Sequence, residues 1–350
     1  MGIYILLAIM PLVISWFNKG DINKENKRAY CIICGTILVF VLGLRYKGLG
    51  STDTVNYYNM MKKAIAAESW SKYYDDEGVE IGFQYFLFVL SRVFHNPQWI
   101  IFISSAIYIS AVMVFCYRYS DNICLSITMY ICLEMMTFNM QGMRQSIAMS
   151  ICLFAYAFAQ RRRLIPFALL VALASMVHQT AIVFIIVYFL PRLELKPSHI
   201  VLVCICALLF VAFSQTLLNF ANELFDKEYG NKVESGGYVA TAIYALILIF
   251  SIIASEKPIS KNMDNMMFYM LIVGFLCYIE RYIGSRVAER VSYYFIYSQA
   301  ILLPNAISNG RIRVKDKKFI EVIVVCLSVL LFMYRLSGSN LIPFSFFWEK

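Results

Sequence analysis

Long apolar runs broken by short polar segments set the pattern of this chain. Ile200–Phe213, Tyr238–Ala254, Met266–Ile279 and Ile320–Met333 are each nearly free of charge. A helix needs about 20 apolar residues to cross a bilayer, and shorter runs reach that length when Ser, Thr, Asn or Tyr extend them. On this basis the pattern predicts twelve spans, centred near residues 9, 37, 108, 130, 152, 170, 184, 208, 246, 274, 297 and 327. Most intervening loops are short, so the expected fold is an all-α integral membrane protein with residues 1–350 as one polytopic domain. Ile81–Phe94 (IGFQYFLFVLSRVF) does not fit the series: it is apolar but short for a span, as an interfacial or re-entrant helix would be. It belongs in a large external loop, residues 45–98, with two helices lying along the membrane surface, about Asp53–Ala67 and Glu80–Phe94.

Composition strengthens the membrane reading. At 60% hydrophobic residues the chain exceeds the roughly 45–50% of soluble domains. The formal charge of +9 is placed by topology. With the N-terminus outside, loops 18–28, 117–121, 160–163, 191–199, 255–265 and 305–318 face the cytoplasm and hold 17 of the 31 Lys and Arg residues. That is the bias of the positive-inside rule. The charge therefore needs no nucleic-acid partner, and no aromatic-interleaved basic surface is present. Gly2–Phe17 lacks a positive n-region and a small-residue cleavage site, so it is read as a retained first helix. The ten cysteines lie in or beside expected spans and are read as small hydrophobes. No Walker A motif, glycine-rich nucleotide fingerprint, GxSxG elbow or HExxH occurs.

Against this background the charges at the external ends of the spans stand out, because ionisable groups at membrane depth usually line a cavity or a substrate path. Asp53 follows the turn Gly43–Gly50. Two readings fit it: a helix-start carboxylate with Ser51 or Thr52 as the cap, or a functional carboxylate over the membrane surface with Arg45 nearby. Glu80 precedes the Ile81–Phe94 helix and carries the same two readings. Arg144, with Asn139, Gln141 and Gln145 around it, lies on the side that topology leaves poor in cations. His178, followed by Gln179 and Thr180, sits between two apolar runs. Arg281, Arg286 and Arg290 also fall outside, either paired with Glu280 and Glu289 or binding phosphate through arginine's planar fork.

These residues carry a resemblance. The series GLRYKGLGSTDTVNYY, EIGF, NMQGMRQSIAMS and MVHQTA resembles the EpsG-like, Wzy-type family of bacterial surface-polysaccharide polymerases. Its members look like R-Y-x-x-G-x-D-x-x-x-Y after an early span, then E-x-G-F, R-Q-x-x-A and F-H-x-[ST]-A. Here the matches are Arg45, Tyr46, Asp53 and Tyr57; Glu80, Gly82 and Phe83; Arg144, Gln145 and Ala148; and His178, Thr180 and Ala181. The ending Asn340–Phe344 is similar to the family's closing P-Y segment, with Phe for Tyr. Two departures are the longer spacing from Arg45 to Asp53 and Val177 in place of Phe before the histidine. The resemblance covers most of residues 40–185.

What the resemblance implies is a multi-span (GT-C-like) glycosyltransferase architecture in a bacterial inner membrane, with its active site facing the periplasm. The implied reaction joins oligosaccharide repeat units carried on undecaprenyl diphosphate into an O-antigen, capsule or exopolysaccharide. Such transfer needs a base for the acceptor hydroxyl and stabilisation of the departing diphosphate. Asp53, Glu80 and His178 are the base candidates; Arg45, Arg144, Gln145, Arg281, Arg286 and Arg290 are the diphosphate candidates. No metal and no cofactor is invoked. Expected partners are the lipid-linked oligosaccharide, membrane lipids and a chain-length regulator protein. A flippase for the same lipid-linked oligosaccharide is the competing class, though no internal repeat is evident and the charges gather on one face. A ligase or single-sugar transferase using the same donor is the alternative within the enzyme class.

Overall fold

The structure, a computed structural model, describes residues 1–17, 24–75, 79–190, 238–254, 265–279, 286–310 and 312–349, with isolated positions 198, 205, 209, 213 and 216. The expected span near residue 208 and the candidate Arg281 lie outside the described residues. Every described element is a helix. The chain divides into two compact units, residues 1–182 with 318–350, and residues 183–317.

The first unit begins with α1 (Gly2–Phe17) and α2 (Lys24–Gly43). The expected external loop follows, with α3 (Thr52–Ala66), the single turn α4 (Trp70–Tyr73) and α5 (Ile81–Val93). Then come α6 (Gln98–Tyr119), α7 (Ile123–Cys132), α8 (Met135–Gln141), α9 (Met143–Gln160) and α10 (Leu164–Val177). A 3-10 helix, Gln179–Tyr188, leads away from α10. The second unit holds α11 (Tyr238–Ala254), α12 (Asn265–Ile279), α13 (Arg286–Ile296) and α14 (Gln299–Asn309); α12 packs on α13 and α11 on α14. Helix α15 (Val314–Ser337) returns the chain to the first unit.

Helix α6 is the spine of the first unit, packed against both α2 and α9. Small residues let α2 approach it closely: a Cβ on Gly43 would lie 2.7 Å from the Phe102 ring, and one on Gly35 would lie 2.9 Å from Met113. Such close approach is the usual means of helix association in lipid. The outward faces are apolar, with Ile165, Leu169 and Leu173 exposed on α10 and Phe319, Val322, Leu327 and Leu330 on α15. Surfaces of this kind suit hydrocarbon and not water.

By length and composition, three described helices can cross a membrane: Asn26–Gly43, Gln98–Tyr119 and Lys315–Ser337. A fourth results if α7 and α8, bent by 49°, count as one broken span. The structure therefore defines a helical membrane protein, and it alters the pattern of straight spans at three places. Near residue 130 the helix breaks at Glu134, which takes a left-handed conformation (φ 56°). A non-glycine residue holds such a conformation only where its surroundings over-determine it. Here Glu134 forms an ion pair at 3.1 Å with Arg335 of α15. Near residue 184 the chain is a 3-10 helix, in a stretch rich in Thr, Ile and Val that loses side-chain freedom in an α-helix. Near residue 297 two helices meet instead of one, and Ser298 donates its hydroxyl to the Phe295 carbonyl at 2.8 Å, a back-bond that bends helices.

Within residues 45–98 the two expected helices form, with limits within one residue of expectation. Ser91 donates to the Ala64 carbonyl at 3.2 Å and Arg92 to the Ala67 carbonyl at 2.9 Å, tying α5 to the end of α3. Phe83, Leu87 and Leu90 are buried, while Ile81, Tyr85, Val89 and Val93 form an exposed stripe at four-residue spacing. That two-faced arrangement is what an interfacial helix requires.

The Glu134–Arg335 pair should be energetically coupled. Glu134→Gln and Arg335→Met should each lower the thermal stability of the detergent-solubilised protein, and the double variant should lose less than their sum, by about 1–2 kcal/mol. Strict additivity would show that the pair does not hold the break.

Candidate functional site

The site is built where three helix ends meet. Glu80 occupies the cap position before α5. Arg144 is the second residue of α9, and His178 immediately follows α10. One Glu80 carboxylate oxygen pairs with Arg144 Nη1. The other lies 3.4 Å from His178 Nδ1 and accepts the Gln179 backbone N–H at 3.1 Å. All three side chains are largely withdrawn from water: Glu80 is 7% exposed, His178 9% and Arg144 18%. Residues 64 and 98 positions away thus close on one carboxylate.

Local chemistry explains the convergence. A Cβ on Gly82 would lie 2.6 Å from the Met176 carbonyl oxygen, so only glycine lets the first turn of α5 press against the last turn of α10. Phe83, fully buried, packs edge-on against the Tyr57 ring at 5.1 Å, and the Arg144 guanidinium sits 6.0 Å above that ring. Tyr57 therefore supports Arg144 from α3 while Glu80 holds it from α5.

Burial alone would push the Glu80 carboxyl up. The His178 contact, the Arg144 guanidinium and the Gln179 N–H together outweigh that and hold it down, from 4.5 to about 2. A carboxylate so well compensated is ionised at neutral pH and is a poor proton acceptor. It is suited to orienting its two partners, as the third member of a nucleophile–base–orienter arrangement does.

The other expected residues are placed as follows. Arg45 is completely buried, and its guanidinium is occupied by protein: Nη1 donates to the Leu42 carbonyl at 2.6 Å and to Ser105 Oγ at 3.2 Å, and Nη2 donates to the Met140 carbonyl at 2.9 Å. Ser51 stands at the cap position of α3 but makes no cap hydrogen bond; its hydroxyl donates to the Gln141 carbonyl at 3.1 Å. Thr54 adds a bond to the Met140 carbonyl at 3.2 Å. These three side chains satisfy carbonyls that the short α8 leaves open at its C-terminus, and so fix the turn from which Arg144 emerges. Asp53 is in the first turn of α3, half-buried, one helical turn before Tyr57, with no hydrogen-bond or ion-pair partner among the described residues. Gln145 is buried in the first turn of α9. Arg286 opens α13 and Arg290 lies one turn later, exposed, both in the second unit.

Tyr57 and Phe83 stand in the motif series, but their part is visible only in the structure: the Tyr57 ring lies under Arg144 and Phe83 braces that ring edge-on. Glu134 did leave a signal, a carboxylate inside an otherwise uncharged run.

The helical content, the apolar outer faces and the buried polar triad define a polytopic membrane protein with a charged site at its helix ends. The chain belongs to the EpsG family, whose pattern it matches over residues 28–346. Membership points in general to a polysaccharide polymerase. Comparison with curated proteins and with solved structures finds no match.

Two measurements probe the site. Gly82→Ala should force α5 away from α10 and destabilise the protein by about 1–3 kcal/mol, while Gly82→Ser should do no better; unchanged melting in both would refute the close contact. Because Glu80 titrates lower when folded than unfolded, its contribution to stability is complete above about 4.5 and disappears as pH falls toward about 2. Acid titration of Glu80→Gln should lack that loss, and the variant should already be less stable at pH 7, where Arg144 loses its counter-ion.

Proposed function

We propose that this protein is a polymerase that joins oligosaccharide repeat units carried on undecaprenyl diphosphate into a surface polysaccharide. It would act at the periplasmic face of a bacterial inner membrane, within a multi-span glycosyltransferase architecture of about twelve spans. The observation that carries this reading is the meeting of Glu80, Arg144 and His178 in one buried cluster, in a chain of the EpsG family.

In the proposed reaction the acceptor hydroxyl attacks the anomeric carbon of the donor glycan, and the C–O bond to the lipid diphosphate breaks. His178 takes the acceptor's proton. Its Nδ1 faces Glu80, which sets the ring orientation and leaves Nε2 as the nitrogen that exchanges the proton. Arg144 is held by Glu80 through one nitrogen and retains exposed surface, so it can meet the charge that develops on the departing diphosphate. Gln145 adds a donor beside it. Arg286 and Arg290, with Arg281, are proposed as further phosphate ligands on the strength of their forked geometry. Arg45 is assigned to holding α8 and the turn before Arg144, since its fork is occupied by carbonyls. Asp53 is assigned to hydrogen-bonding the acceptor sugar, being a carboxylate without a protein partner among the described residues. A chain-length regulator is proposed as the protein partner.

A strain lacking the gene should display single repeat units and no long-chain glycan; loss of all surface units would instead indicate a flippase. Returned on a plasmid at matched membrane abundance, His178→Gln should cut the polymerisation rate by about 10²–10⁴-fold. Arg144→Lys should lose most polymer, because a point charge does not reproduce the fork. If Asp53→Asn is inactive while His178→Gln makes normal polymer on gels, the base is Asp53 and the assignment to His178 fails.

A further inference from the structure

A second feature of the external segment has no part in the triad. Between the C-terminal half of α3, the α4 turn and the start of α5 lies a cleft of about 710 Å³, within the range of pockets that take small organic ligands. Its walls carry Lys63, Glu68, Lys72, Tyr73, Tyr74 and Asp75. Glu68 and Lys72 pair with each other, and among the described wall residues the charges balance, Lys63 and Lys72 against Glu68 and Asp75.

The remaining chemistry is aromatic faces beside hydrogen-bonding groups. Tyr74 stacks on Trp70 (5.2 Å between centroids, 27° between planes), and Tyr73 stacks on Phe88 at 6.0 Å. Trp70 is in turn wedged edge-on against Tyr85 and Phe88, so the aromatic wall is braced from α5. The Tyr73 hydroxyl is buried with no partner among the described residues, a costly arrangement that a bound hydroxyl would relieve. Lys63, exposed at the end of α3, likewise has no partner among them. Pyranose rings offer the complement: C–H faces that lie on aromatic rings and rims of hydroxyls that both donate and accept.

The cleft is also joined to the triad through the backbone. Gln84 lines it, and the Gln84 amide donates to the carbonyls of Asp75 and Val79, each at 2.7 Å. Val79, another wall residue, immediately precedes Glu80. A ligand in the cleft thus lies against the segment that presents the carboxylate holding Arg144 and His178.

We infer that this cleft is an oligosaccharide-binding subsite that receives the uncharged sugar portion of the lipid-linked substrate, next to the triad that handles its reactive end. The inference rests on the polymerase reading and adds to it the place where the glycan is gripped.

The probe is the oligosaccharide released by mild acid from the cell's own lipid-linked pool, added to the full-length protein in detergent or nanodiscs. Calorimetry on wild type should show saturable binding, and tryptophan emission should change with it, since Trp70 backs the wall. Tyr74→Ala and Lys63→Ala replace exposed side chains and should each weaken binding at least fivefold, and about 20-fold or more together. His178→Gln, which leaves the Glu80–Arg144 pair in place, should bind the probe as wild type does while polymerising far more slowly. The inference is overturned if wild type shows no saturable binding, or if the cleft variants bind as tightly as wild type. Failure of the polymerase reading looks different: a strain lacking the gene would then make full-length glycan, whatever the calorimeter reports.

Discussion

The structure depends on one buried carboxylate. An ion taken out of water must be compensated by opposite charge and hydrogen bonds, or it neutralises. Glu80 is compensated from two separate places, the start of α9 through Arg144 and the end of α10 through His178 and the Gln179 N–H. No local segment could supply both, so the requirement draws the ends of α5, α9 and α10 to one point. Gly82 removes the steric obstacle and Phe83 with Tyr57 supplies the apolar floor. The motif E-x-G-F is therefore one device with three parts: a charge, a gap and a wedge.

A second constraint follows from the broken span. Hydrocarbon offers no partner to open backbone groups, so a helix that stops early must have its last carbonyls satisfied by protein. Helix α8 ends after seven residues. Arg45, Ser51 and Thr54 cover the carbonyls of Met140 and Gln141. The chain's ending takes part as well. Tyr46 donates its N–H to the Ser345 carbonyl and Phe347 donates to the Leu44 carbonyl, each at 2.9 Å, so residues 44–46 and 345–347 brace one another around the buried Arg45. Both the early R-Y stretch and the closing segment are thereby tied to the same turn that launches Arg144.

What could be read beforehand, and what could not, divides along the range of the interactions. Helix-start carboxylates and apolar periodicity are local, and they located α3 and α5 to within a residue of Thr52–Ala66 and Ile81–Val93. A lone cation beside a span, such as Arg45, has two explanations from sequence alone, a phosphate ligand or a brace for the fold. Only the carbonyls of Met140 and Leu42, distant or cryptic in the chain, separate them. Spacing offers Ser51 or Thr52 as the cap of α3, yet the Ser51 hydroxyl finds the Gln141 carbonyl across 90 residues. Hydropathy predicts a single span near 130 and another near 297 because it measures apolar length and is blind to φ. The left-handed Glu134 and the back-bonded Ser298 break helices without interrupting the apolar run.

The depressed titration of Glu80 links stability to chemistry. A carboxylate held near 2 stays ionised through the physiological range, so it keeps Arg144 and His178 in position continuously and need not change state during a reaction. Its oxygens are committed to those partners, which argues against its also collecting a proton from an acceptor sugar. In the proposed reaction the proton-handling role is therefore given to His178, and the anion-handling role to the exposed part of Arg144. Donors fixed in advance by the fold need little reorganisation when charge develops, which is where electrostatic preorganisation gains most of its effect. Because the same ion pair closes the helix ends and, in the proposed reaction, aims the donors, substitutions at Glu80 should affect folding and reactivity together, whereas substitutions in the proposed glycan cleft should change grip without loosening the fold.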